Sequence, residues 1–151
     1  MELSLVEKNS VIVNARTGTT VFTVLIDTGA SFSVYTGNED ELLLFEPNAI
    51  DTKSKVYISG FGGGKICKVF ILPEVLIGEF KILNLPIALF PNKGMKQDII
   101  LSTIVFNKTP FTIDYPNYKL YLNSSIDEVR CCLKRSNIIG VVDSFICFTN
   151  E

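Results

Sequence analysis

The chain has no histidine among its 151 residues. Imidazole is the usual base of serine and cysteine hydrolases and a ligand in most zinc sites, so both chemistries are excluded within one polypeptide. Proton transfer therefore falls to carboxylates, lysine or tyrosine. A basic run is also absent: 14 Lys and Arg against 16 Asp and Glu give a net charge of −2 and a pI near 5.2. Nothing along the chain neutralises several neighbouring phosphates, so nucleic acid is not an expected partner. No apolar run reaches the roughly 20 residues of a membrane helix. The most apolar late stretch, Ile138 to Phe148, is broken by Asp143 and Ser144. Met1-Glu2-Leu3-Ser4 carries no positive segment ahead of an apolar block, so no signal peptide is expected. A soluble, cytoplasmic protein without membrane insertion follows. Cysteines are few: Cys67, Cys131, Cys132 and Cys147 lack paired metal-ligand spacing. Reduced thiols are expected, and no metal or other cofactor is implied.

What is present is apolar and β-branched. An apolar content of 47% with positive mean hydropathy fills the core of one domain, and residues 1–151 are expected to form it. Short apolar segments separated by turn residues predict a mostly-β fold. Val11 to Asn14 and Thr20 to Ile26 read as strands around Arg16-Thr17-Gly18, and Ser31 to Tyr35 as another. Gly37-Asn38 then breaks the pattern, and Glu39 to Phe45 reads as one or two helical turns. Lys55 to Ile58 and Cys67 to Leu72 flank a glycine-rich tip, Ser59-Gly60-Phe61-Gly62-Gly63-Gly64, in a long hairpin. Further strands are expected at Glu74 to Ile77, Phe80 to Leu83 and Pro86 to Phe90, with Gly78-Glu79 as a turn. Asp98 to Phe106 starts as a buried run and ends in a helical turn, and Phe111 to Asp114 pairs with Lys119 to Leu122. Ser125 and Glu128 have capping-box spacing ahead of a short helix through Arg135, which holds the vicinal Cys131-Cys132. Ile138 to Phe148 reads as a terminal strand.

The stretch Val24-Leu25-Ile26-Asp27-Thr28-Gly29-Ala30-Ser31 drives one carboxylate out of an apolar strand into a tight turn. The three apolar residues before Asp27 predict a strand buried on both faces, and Gly29 allows either positive φ or close approach of another chain. Taken alone, an apolar strand ending in Asp-Thr-Gly is more often an ordinary turn in which Asp27 bonds nearby backbone N–H groups. Asp98 and Asp114 read as solvent-facing residues at strand ends.

Four landmarks in order resemble the retropepsin-like aspartic proteases. They are the strand into Asp27-Thr28-Gly29-Ala30, the hairpin tip Gly60-Phe61-Gly62-Gly63, the run Ile99-Ile100-Leu101 and the final pair Phe111-Thr112-Ile113-Asp114 with Lys119-Leu120-Tyr121-Leu122. The resemblance covers about residues 10–123, roughly three quarters of the chain, and leaves 124–151 as a C-terminal extension. It implies a closed β-barrel with a psi-loop, a flap hairpin and a short helix, the extension adding a helix and a strand. It departs from the family pattern at Ser102, where the family usually has glycine.

Peptide hydrolysis by this route needs two carboxylates side by side, one ionised to take a proton from water and one protonated to donate. Only one motif is present, because Val141-Val142-Asp143-Ser144 has the lead-in but Phe145 stands where glycine is needed. The resemblance therefore implies a homodimeric endopeptidase acting on protein or extended peptide, with Asp27 from each chain in the dyad. It also implies that Thr28 reaches backbone of the opposite protomer and that Gly29 lets the two loops approach. Ala30 would floor the substrate site, and Gly60, Phe61 and Gly62 would form the flap tip over it. Two rival readings stand beside this one: a dimeric peptide-binding or dimerisation module with the same fold and no hydrolysis, and an unrelated monomeric β-barrel for a small apolar ligand.

Overall fold

The computed structural model describes residues 1–6, 10–18, 20–60, 63–106, 109–122, 127–134, 138–139 and 148–149. In chain order the strands are β1 (Glu2–Ser4), β2 (Ile12–Thr17), β3 (Thr20–Asp27), β4 (Val34–Tyr35), β5 (Ile50–Gly60), β6 (Gly63–Ile77) and β7 (Phe80–Leu89). Then come β8 (Ile99–Ser102), β9 (Phe111–Asp114), β10 (Lys119–Leu122), β11 (Glu128–Arg130), β12 (Leu133–Lys134) and β13 (Phe148–Thr149). Helix α1 (Glu39–Phe45) lies between β4 and β5, and a 3₁₀ turn, Thr103–Phe106, follows β8. The mostly-β expectation holds.

The main sheet runs β11-β7-β4-β8-β3-β2-β6-β5, with β6 also paired to β7. Strand β8 lies between β3, to which it is parallel, and β4, to which it is antiparallel, so the psi-shaped crossing is present. Such parallel neighbours are covered on both faces. In β3, Phe22, Val24 and Ile26 enter one apolar cluster while Leu25 packs against a second that holds Val34, Val56, Ile58 and Ile100. Burial is therefore full on one face and partial on the other, where Val21 is exposed and Leu25 half-buried, short of the predicted two-faced burial, and Asp27 continues the face of Leu25.

Several elements are longer or shorter than local patterning predicts. Strand β6 runs straight through Pro73 to join two expected strands, and β7 joins two more through Asn84, whose φ is 57°. Only Val34–Tyr35 of the expected Ser31 to Tyr35 strand is extended and paired. Strand β1 has no strong periodic signal but pairs with β10, which pairs with β9, in a separate three-stranded sheet. Between β6 and β7 the chain turns at Gly78, with φ of 59°; a Cβ there would lie 2.8 Å from Leu3 Cδ2 and 3.1 Å from Met1 Sδ. Gly78→Ala is expected to lower stability by at least about 1 kcal/mol and to loosen β1, read as a lower urea midpoint.

Helix α1 is short but capped at its start. Asn38 Oδ1 accepts from Glu41 N–H at 2.9 Å and Glu41 Oε1 accepts from Asn38 N–H at 3.2 Å, with Glu39, Asp40 and Glu41 at the positive end of the helix dipole. It buries Leu42 completely.

The expected C-terminal helix is not formed. Glu128–Arg130 is instead strand β11, parallel to β7 at Lys81 to Leu83, with Val129 packed on the main cluster. A free strand edge on β7 outweighs the weak cap signal, because strand addition satisfies backbone groups that a one-turn helix would leave to water. Cys131 and Cys132 follow β11 in extended chain, and Ser125, Arg135 and residues 140–147 lie outside the described residues. Cys132 is disulfide-bonded, which corrects the expectation of reduced thiols throughout; Cys67 and Cys131 are free. Among the described residues no helix is long and apolar enough to cross a membrane.

Candidate active site

Asp27 is the last residue of β3 and lies opposite Ser102, the last residue of β8. The chain then turns: Asp27 O accepts from Ala30 N–H at 3.3 Å, and Asp27 Oδ1 accepts from Gly29 N–H at 2.8 Å. That bond holds one carboxylate oxygen while Asp27 stays half-exposed at the surface of the loop.

Gly29 does not have positive φ, so the first reason for a glycine there is excluded. The nearest atom to a Cβ placed on it is Asp27 Oδ1 at 3.4 Å, an ordinary contact. Among the described residues nothing requires glycine at this position. Thr28 is exposed, and among the described residues its hydroxyl has no partner. Ala30 is half-buried against the second cluster, with Phe32 beside it.

Two serines tie this loop to β8. Ser102 N–H donates to Ser33 Oγ at 3.0 Å, Ser102 Oγ donates to Ala30 O at 2.7 Å, and Ile104 N–H donates to Ser102 Oγ at 3.3 Å. Both serines are buried, at 4% and 3% exposure. The hydroxyl that looked like a departure in sequence therefore supplies a side-chain bond to the Asp27 loop that glycine lacks. Ser33 was not singled out by sequence reading; the only signal was a small hydroxyl residue beside the apolar Val34-Tyr35 pair. Ser33→Ala leaves the Ser102 N–H buried without an acceptor and is expected to cost about 1–3 kcal/mol, measured by denaturant titration.

The other sequence candidates are dispersed. Asp98 is half-buried rather than solvent-facing, and its Oδ2 accepts from Thr23 N–H at 3.0 Å, pinning the start of β8 to β3. Asp98 and Glu41 also face Tyr35, whose phenol is pushed up to about 12, mainly by burial and then by these two carboxylates. Asp114 binds Asn117 in the β9–β10 turn and has no part in the site. Among the described residues no three metal-ligating side chains cluster.

The hairpin of β5 and β6 pairs from Lys55 opposite Lys68 up to Gly60 opposite Gly63; Phe61 and Gly62, expected at its tip, lie outside the described residues. Its root is irregular between Asp51 and Lys55, where buried Thr52 donates through Oγ1 to Val69 O at 2.6 Å. Sequence spacing thus places Gly60 near the end of the hairpin, but nothing described brings it against Asp27.

The C-terminal extension packs behind the loop. A cavity of about 200 Å³ is bounded by Phe32, Ser33, Leu85, Val105, Cys131 and Leu133. Burial pushes the Cys131 thiol up to about 11. At pH 8 its thiolate fraction is then about a hundredfold below that of a thiol at the ordinary value, so alkylation of Cys131 is expected to be slow until the protein is denatured. The sign for stability follows: the folded state holds this proton more tightly, so its contribution is complete below the unfolded value of 9.0 and is lost as pH rises toward 11.

An Asp-Thr-Gly loop at the end of the first strand of a psi-shaped crossing, beside a long hairpin, defines the fold of the retropepsin-like aspartic proteases. A retropepsin-like aspartic protease from Rickettsia conorii is similar in structure, with a TM-score of 0.57 over 82% of this chain and 89% of that one, at 20% identity. No protein-family model and no curated protein matches the sequence.

Proposed function

We propose that two copies of this chain pair about a two-fold axis to form an aspartic endopeptidase, cutting extended peptides through a water activated by the two Asp27 carboxylates. The observation that carries this reading is the Asp27-Thr28-Gly29 loop itself. Its carboxylate is held by Gly29 N–H, its rear is laced to Ser102, and its Thr28 and Gly29 are exposed, the Thr28 hydroxyl having no partner among the described residues. A second copy gives those groups a use: Thr28 donates to backbone of the partner, and Gly29 lets the loops meet. Ala30 floors the substrate backbone, and Gly60, Phe61 and Gly62 close over it as a flap that excludes water.

The chemistry is proton shuttling between two carboxylates. Like charges about 3 Å apart cannot both ionise, so the pair shares one proton; one member removes a proton from water while the other protonates the peptide carbonyl oxygen. No covalent intermediate and no metal enters. The residues 1–151 act as one domain in this reading, with 124–151 as an addition to the catalytic fold. Sedimentation across a concentration series tests the dimer, and cleavage of an apolar-rich peptide library between about pH 4 and 6 tests the activity. A monomer at all concentrations would sink the proposal, since one chain cannot build the dyad.

One observation favours the second reading, a peptide-binding dimer without hydrolysis: Ile139 of the extension is bridged to Lys55 on β5. Peptide binding with no cleavage by the unaltered protein would select it.

A further inference from the structure

Strand β5 ends the main sheet, and β6 takes only one of its edges. A free strand edge is a template for another extended segment. Lys55 N–H donates to Ile139 O at 3.1 Å, and Ile139 N–H donates to Lys55 O at 2.7 Å. The backbone groups of Lys55 therefore face away from β6, and by the two-residue period of a strand those of Tyr57 and Ser59 do too.

Beside that edge runs the loop that follows Asp27. Ser31 and Phe32 from the loop, Val56 and Ile58 from β5, and the pair Ile138 and Ile139 bound a cavity of about 310 Å³. Ile138 is half-buried on the cluster that also receives Ala30 and Phe32, whereas Ile139 is 46% exposed. The extension thus does two things at once next to the candidate site: it pairs main chain with the edge of β5, and it packs Ile138 on the apolar cluster that borders the Asp27 loop. These are the two contacts an extended peptide needs at this place.

We propose that Ile138–Ile139 is a built-in occupant of a peptide-binding edge, a strap that must leave before an extended segment with β-branched apolar side chains pairs along β5. The inference rests on the reading of this cleft as a peptide site. Among the described residues the hold is one two-bond bridge and one half-buried side chain. An incoming peptide makes the same contacts along this edge, so it displaces the strap without unfolding the sheet.

The test uses the full chain carrying Asp27→Asn, so that a bound probe is not cut, and a fluorescent peptide Ser-Asn-Ile-Ile-Gly-Val copied from positions 136–141. Ile139→Pro removes the N–H that donates to Lys55, and Ile138→Ala empties the pocket contact while keeping the backbone, so the second variant carries the test if the first folds poorly. Freeing a competed site raises apparent affinity by the inverse of its free fraction, and both variants are expected to bind the probe about tenfold more tightly by anisotropy. The Lys55 amide is expected to exchange faster in Ile139→Pro and to slow again with probe. Equal affinity in all three chains, or no binding by any, overturns the strap. With Asp27 restored, KM for an apolar peptide is expected to fall with kcat unchanged. Tighter binding without cleavage by any chain would end the protease reading and leave the strap standing; cleavage with one KM throughout would do the reverse.

Discussion

Asp27→Asn is expected to remove peptide cleavage altogether while leaving the fold in place. The amide keeps the size of the carboxylate and its Oδ1 still accepts from Gly29 N–H, so the 2.8 Å bond that shapes the turn survives. What it cannot do is take a proton from water or share one with its partner. Loss of a positioned acid or base alone costs about 10²–10⁴-fold in rate, and in the proposed dimer one substitution alters both members of the dyad. The assay is cleavage of an apolar-rich peptide library by both proteins at equal folded concentration; matching rates would overturn Asp27 as the catalytic group. Mixing gives a sharper result. When equal amounts of the two chains exchange freely, random pairing leaves about a quarter of the dimers with two aspartates, so activity falls to roughly that fraction of an all-parent sample at the same total concentration. A site complete in one chain would keep about half.

Phe80→Ala carries the largest expected loss of stability. Phe80 is 1% exposed, and its ring centroid lies 5.6 Å from that of Phe106, which in turn lies 5.6 Å from Phe111. Truncating a buried phenylalanine costs about 3–5 kcal/mol through lost transfer energy and the cavity left behind. Against a total stability of about 5–15 kcal/mol, that brings the protein close to unfolding at 37 °C. The urea midpoint is expected to drop without a change in slope. Phe80→Leu retains most of the volume and is expected to lose much less, about 1.5 kcal/mol or under. The damage reaches the site through the chain itself: Phe106 closes the 3₁₀ turn that begins one residue after Ser102, and Ser102 holds the Asp27 loop at Ala30. Activity per folded molecule should therefore fall as well, and a variant that lost stability at unchanged turnover would show the site to be independent of this aromatic row.

Much of the fold was legible because it rests on local periodicity. Glu39 to Phe45 was readable as one or two helical turns after the break at Gly37-Asn38, and the observed helix has those bounds. The alternation leading to Asp27 and the glycine tip of the hairpin were likewise plain in the chain. The extension was misread for the opposite reason. Ser125 and Glu128 carry a weak helical signal, whereas the edge of β7 that captures Glu128–Arg130 exists only once the sheet has assembled. The same limit hid the role of Ser102, since a serine in place of glycine looks like a fault until Ala30 O is found 2.7 Å away across 72 residues.

By itself the sequence narrowed the chemistry open to this protein: without histidine an imidazole base is excluded within the chain, which leaves acid–base work to carboxylates, lysine or tyrosine. It also marked several strands and the helix at Glu39–Phe45, since side-chain period and glycine placement act over a few residues. Only the tertiary structure decided which edges meet. The psi-shaped crossing that sets Asp27 beside Ser102, the serine pair that ties the loop, and the isoleucines lying on β5 all join residues far apart in the chain. Such contacts form when backbone groups and apolar faces left over from local structure find one another, and their partners are not written in any local pattern.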